Sequence, residues 1–172
     1  MTRANPHESL DTPDYALLAR ELESVLAGID DPVCAMATVA CQLKQALPRA
    51  SWVGFYRVVA PRLLRVGPYQ GPLGCLEIAF ERGVCGAAAR AERPQLVPDV
   101  HAFPGHIACD ESARSELVMP VHDASGTLVA VLDLDSREPA AFDERDAAGL
   151  EALLARLRPF FGAAKRANES AH

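Results

Sequence analysis

Three cysteines and three acidic positions could carry chemistry in this 172-residue chain. Cys75, Cys85 and Cys109 each stand beside a glycine or an acid, in stretches such as "GPLGC", "GVCGAAA" and "GHIACDES". Those stretches read as loops or element ends, where solvent reaches a thiol. An accessible thiolate attacks soft electrophiles, and the sulfenic acid that follows condenses with a second thiol to a disulfide. Three incidental loop thiols would look the same by spacing alone. Cys85 is expected at a helix start, where backbone N–H groups favour a thiolate. His101 and His106 precede Cys109, while Asp110 opposes a lowered thiol pKa; the two histidines read equally well as solvated loop residues.

The acids form a second group. Glu116 opens the strand-like run "SELVMPV". In "VLDLDS", Asp133 and Asp135 alternate with Leu132 and Leu134, so a strand puts both acids on one face. Two like charges on a buried face are costly unless they meet a cation or line a wet pocket. A metal ion or a substrate ammonium would serve, and an exposed strand face would need neither. Trp52, the only tryptophan, shares a strand face with Gly54 and Tyr56, as core filler or as a ligand wall.

The elements that must position these residues are legible from periodicity. Tyr15, Leu18, Leu22, Val25 and Leu26 predict a helix that Thr12, Pro13 and Asp14 start and Gly28 stops. "DDPVCAMATVACQLKQAL" predicts a second, with Cys34 and Cys41 sharing a face as small core thiols. "SWVGFYRVVAPRLLRVGPYQ" predicts a strand, a turn and a strand. Short strands follow at Leu76 to Ala79 and at "PQLV", with a short helix "GVCGAAARAE" between them. "SELVMPVHD" and "GTLVAVLDLDS" form a pair turned at Asp123 to Gly126. The last helix is capped by Asp143 and lays Leu150, Leu153, Leu154 and Leu157 on one face. About six strands in hairpin-like groups predict an α+β fold with an antiparallel sheet flanked by N- and C-terminal helices. Residues 1–12 read as a flexible N-terminus, 13–162 as a single domain and 163–172 as a flexible polar tail.

Composition narrows the function. The formal net charge of -6, with scattered basic residues, gives no footprint for nucleic acid or for an anionic membrane surface. The polar N-terminus lacks the apolar run of a secretion signal, so the cytoplasm is the expected compartment. Five cysteines without a CxxC pair argue against a disulfide framework or a zinc ribbon. A metal site from Cys75, Cys85, Cys109 and a histidine has little support in the spacing, and no metal or cofactor is expected.

"SWVGFY", "GPYQGPLGC", "GVCGAAA", "DVHAFPGHIACDESARSE" and "VLDLDS" together resemble, in order, the motifs of the free methionine-(R)-sulfoxide reductases, which are small GAF-domain enzymes. The resemblance is close from Trp52 to Ser136. It implies a GAF fold, a homodimer, and reduction of free L-methionine (R)-sulfoxide with thioredoxin as reductant. Cys109 matches the family's catalytic cysteine, Cys75 its resolving cysteine, and Cys85 a third redox cysteine. Glu116, Asp133 and Asp135 match the acids that hold the substrate and polarise its sulfoxide, and Trp52 and Tyr56 match the aromatic wall. Tyr69 and Gly74 stand where relatives often carry Phe and Ala. The rival readings are a non-catalytic GAF domain that senses a small molecule and a metal-dependent regulator.

Overall fold

The structure, a computed structural model, describes residues 12–105 and 111–162. Two helices come first: α1 (Tyr15–Val25), capped by the Asp14 carboxylate, and α2 (Pro32–Ala46), capped by Asp31 with Pro32 at its first turn. The hairpin β1 (Trp52–Ala60) and β2 (Leu63–Gln70) follows, then β3 (Glu77–Ala79), α3 (Gly83–Ala91) and β4 (Gln95–Val97). A short 3-10 turn (Val100–Ala102) leads towards β5 (Ser115–His122), β6 (Leu128–Ser136) and α4 (Glu144–Phe161).

The six strands form one sheet in the order β3-β2-β1-β6-β5-β4, and every neighbouring pair is antiparallel. This is the expected α+β architecture. Alternation along the central strands sends side chains to two different cores. Val53, Phe55, Leu117, Met119, Leu132 and Leu134 pack against α1, α2 and α4. Trp52, Tyr56, Val118 and Val131 face the other way, towards α3 and β4. The site-bearing residues share this second face. Among the described residues, no helix is long and apolar enough to cross a membrane.

Two expectations for the helices need correction. Val25 is exposed, because the buried stripe of α1 runs through Tyr15, Leu18 and Leu22. Cys34 and Cys41 do share a face of α2, but it is the exposed one. The buried stripe is set by Met36, Val39 and Leu43, which lie on the opposite side of the helix.

The helical layer is locked at one buried carboxylate. Asp146, fully buried, accepts from the Tyr15 hydroxyl at 2.8 Å and pairs with the Arg49 guanidinium at 2.6 Å. It also completes the capping box of α4 by accepting from the Asp143 amide at 3.0 Å. One side chain thus joins α1, α4 and the segment entering β1. Burial, then the Asp146 charge, pushes the Tyr15 phenol up. Removing one partner of a buried pair strands the other charge. Asp146→Ala should therefore cost about 3–5 kcal/mol, read as a lower urea midpoint at unchanged slope.

Candidate active site

The centre of the sheet brings the acids and the aromatics together. Across β1 and β6, Trp52 stands opposite Asp135 and Gly54 opposite Asp133. Across β5 and β6, Glu116 stands opposite Asp135 and Val118 opposite Asp133. Asp133 and Glu116 are buried, so their charges cannot be shared with water.

The aromatic residues form a stack of three. The Trp52 ring lies 5.6 Å from Tyr56 and 5.2 Å from Tyr69, nearly parallel to both. Its indole N–H donates to the Pro72 carbonyl at 3.0 Å, which fixes the ring against the loop after β2. Gly54 makes the stack possible. A Cβ at that position would lie 2.3 Å from the Tyr69 Cβ and 2.6 Å from the Trp52 ring. Gly54→Ala should break the stack and cost about 1–3 kcal/mol. Because Trp52 is the only tryptophan, a shift in its fluorescence emission checks this directly. Tyr69, noted in sequence only as a departure, is thus part of the wall. Its signal was its pairing with a glycine across the β1–β2 hairpin.

Cys85 is not where solvent reaches it. It lies at the third position of α3 and is buried against the acids. The helix packs this closely because Gly86 has no side chain; a Cβ there would lie 2.6 Å from the Ala79 carbonyl oxygen. The Cys85 Sγ sits 4.0 Å from the Glu116 Oε1. Burial, followed by the charges of Asp133, Glu116 and Asp135, raises the thiol pKa well above its usual range. The expected help from the helix start is outweighed, and Cys85 is held as a neutral thiol. The Cys85 Sγ and one carboxylate oxygen each of Glu116 and Asp133 all lie within 4.8 Å of one another.

Desolvation dominates the titration of the acids. It raises Glu116 well above the ordinary carboxyl range, with Asp133 and Asp135 adding to the rise. It also pushes Asp133 up to about 7, while hydrogen bonds from Cys85 and Glu116 act in the opposite sense. Burial thus pushes both carboxyls towards their protonated forms, so the pair resists ionising fully. Burial, then Asp133, also drives the Tyr56 hydroxyl up, so it stays a neutral donor. Asp133 Oδ1 is buried with no hydrogen-bond partner among the described residues.

These raised values have a consequence for stability. Between pH 3.8 and about 7, an unfolded Asp133 has lost its proton while the folded one keeps it. The native state then binds more protons than the unfolded state, so stability falls as pH rises through this window. Urea midpoints should decline from pH 4 towards neutrality, and Asp133→Asn should remove part of the slope.

The remaining expected residues divide. Cys75 lies half-buried at the edge of the aromatic core and is disulfide-bonded. His101 is exposed, and its backbone amide donates to the Asp99 carboxylate, as a solvated loop residue would. Cys109, His106 and Asp110 lie outside the described residues.

Residues 35–157 match the GAF domain family. The chain is 37% identical over 146 residues to the free methionine-R-sulfoxide reductase of Escherichia coli K12, across 85% of this chain and 87% of that protein. The chain belongs to the GAF-domain family of free methionine-R-sulfoxide reductases. The X-ray structure of the Neisseria meningitidis free methionine-R-sulfoxide reductase in complex with its substrate is similar at 42% identity and a TM-score of 0.82. The likeness covers 90% of this chain and 92% of that one. The reduced form of the Staphylococcus aureus enzyme is similar at 33% identity and a TM-score of 0.81, across 94% of this chain and all of that one. Within this family the sheet centre, with its acids and aromatic stack, is the candidate active site.

Proposed function

We propose that this protein reduces free L-methionine (R)-sulfoxide to L-methionine. The observation that carries the reading is the buried carboxyl cluster of Glu116 and Asp133 facing the Trp52 stack, because a free amino acid sulfoxide needs both. Its α-ammonium requires anionic partners once water is excluded. Its methyl group suits an aromatic wall. Its sulfur is a poor electrophile until a donor polarises the sulfoxide oxygen.

Asp133 and Asp135 beside it receive the ammonium. Glu116, whose carboxyl burial pushes towards its protonated form, donates a proton to the sulfoxide oxygen. The Cys109 thiolate attacks the substrate sulfur, and the S–O oxygen passes to the cysteine. Methionine leaves reduced by two electrons, and Cys109 is left as a sulfenic acid. The Cys75 thiol then attacks that sulfur, releasing water and forming a disulfide. A dithiol reductant, thioredoxin by family resemblance, reopens it by exchange and is itself oxidised. Cys85 is the third redox cysteine by the same resemblance; its buried neutral thiol suits a reserve role better than first attack.

The test is to supply each epimer of free methionine sulfoxide with dithiothreitol and measure methionine. Methionine from the (R) epimer alone is expected. Equal yields from both epimers would remove the stereochemical assignment. Binding with no methionine released would make the protein a sensor instead.

A further inference from the structure

We propose that Cys85, Glu116 and Asp133 form a binding site for Zn2+, and that the ion competes there with the substrate's ammonium. The competition rests on the function proposed above; the metal site itself does not.

Three separate elements, α3, β5 and β6, bring one sulfur and two carboxylate oxygens within 4.8 Å of one another. A tetrahedral zinc ion has Zn–S of about 2.3 Å and Zn–O of about 2.0–2.2 Å, which places sulfur and oxygen about 3.6 Å apart. The Cys85 Sγ and Glu116 Oε1 stand at 4.0 Å, so that pair needs only a small closure, and the Asp133 oxygen lies within 4.8 Å of both. Asp133 Oδ1 is also buried without a hydrogen-bond partner among the described residues, an acceptor held ready for a cation or donor. The donor set also selects the ion. Ca2+ takes six to eight oxygens, and Mg2+ demands an octahedron of them, whereas one thiolate with two carboxylates suits zinc. The fourth zinc position remains for water.

Binding must displace protons. The Cys85 thiol releases its proton to solvent, and so does whichever of the two carboxyls is still protonated. The sulfur and both oxygens then bond the ion, and no electron is transferred. Apparent affinity should therefore rise with pH, by up to about tenfold per unit for each proton released.

The probe is Co2+, added to the full-length oxidised protein after alkylation of its accessible thiols. The expected result is one Co2+ per chain with a sulfur-to-cobalt charge-transfer band, displaced by Zn2+. Cys85→Ser should abolish that band, and Asp133→Asn should weaken binding at least about tenfold. A band that persists in Cys85→Ser, or unchanged affinity in Asp133→Asn, overturns the site. Zinc-edge X-ray absorption on the unsubstituted protein guards against variants that fail to fold. One sulfur among oxygens supports the site, and no sulfur or several overturns it. Added methionine (R)-sulfoxide should raise the apparent Co2+ dissociation constant, and simultaneous binding of both overturns the shared position. The cobalt spectrum needs no turnover, so a protein that fails to reduce the sulfoxide would count against the proposed function alone.

Discussion

Cys109→Ser should abolish turnover, with dithiothreitol as well as with thioredoxin. A serine hydroxyl stays protonated at neutral pH and is a far weaker nucleophile towards sulfur. Loss of an attacking group from a concerted set of catalytic residues is among the largest single-residue effects known, and a fall on the order of a thousandfold or more is expected. The measurement is methionine released from the free (R)-sulfoxide under excess dithiothreitol. Small-molecule reductant removes any need for a resolving thiol, so the assay isolates the first chemical step. Substantial activity in the variant would take Cys109 out of the mechanism and direct attention to Cys75.

The second large effect is on the substrate rather than the protein. N-acetylation removes the ammonium charge and adds bulk where, in the function proposed above, Asp133 and Asp135 receive it. Carboxylates that lose a cationic partner lose charge-assisted hydrogen bonds, each worth about 1.5–3 kcal/mol. Two such losses lower kcat/KM by about a hundredfold or more. Comparing free and N-acetylated (R)-sulfoxide on the same enzyme measures this directly. Equal rates would contradict recognition of the free amino acid and leave a reductase of broader scope. Asp135→Asn, which keeps the shape and removes one charge, should weaken binding of the free substrate while narrowing the gap between the two.

Much of this arrangement could be read before any coordinates. The strands follow from alternation, and so does the shared face of Asp133 and Asp135, because a two-residue period admits one assignment once the buried leucines are known. Asp143 marked its helix start by residue type alone, and Asp14 caps the first helix from among the three start residues Thr12, Pro13 and Asp14. The failures have a common physical source. In α2, alanines and cysteines are apolar all the way round, so composition alone left the phase open; the bulkier Met36, Val39 and Leu43 decide which side is buried. Cys85 was correctly placed near a helix start, but its exposure depended on how tightly α3 settles on the sheet, which Gly86 controls through tertiary contact. The Trp52 stack needed the β1–β2 register, including the shift between Gly54 and Tyr56 that no local pattern announces.

The outward-facing pair on α2 also changes how oxidation in this protein must be counted. Cys34 and Cys41 meet solvent, whereas Cys85 is shut inside. Thiol reagents reach the first two at once and the third only when the fold opens. A native-state titration therefore starts from a constant background of two fast equivalents that say nothing about the catalytic cycle. Only the difference between titrations before and after a single turnover follows the working thiols, and denaturing the sample first adds the Cys85 equivalent to that baseline.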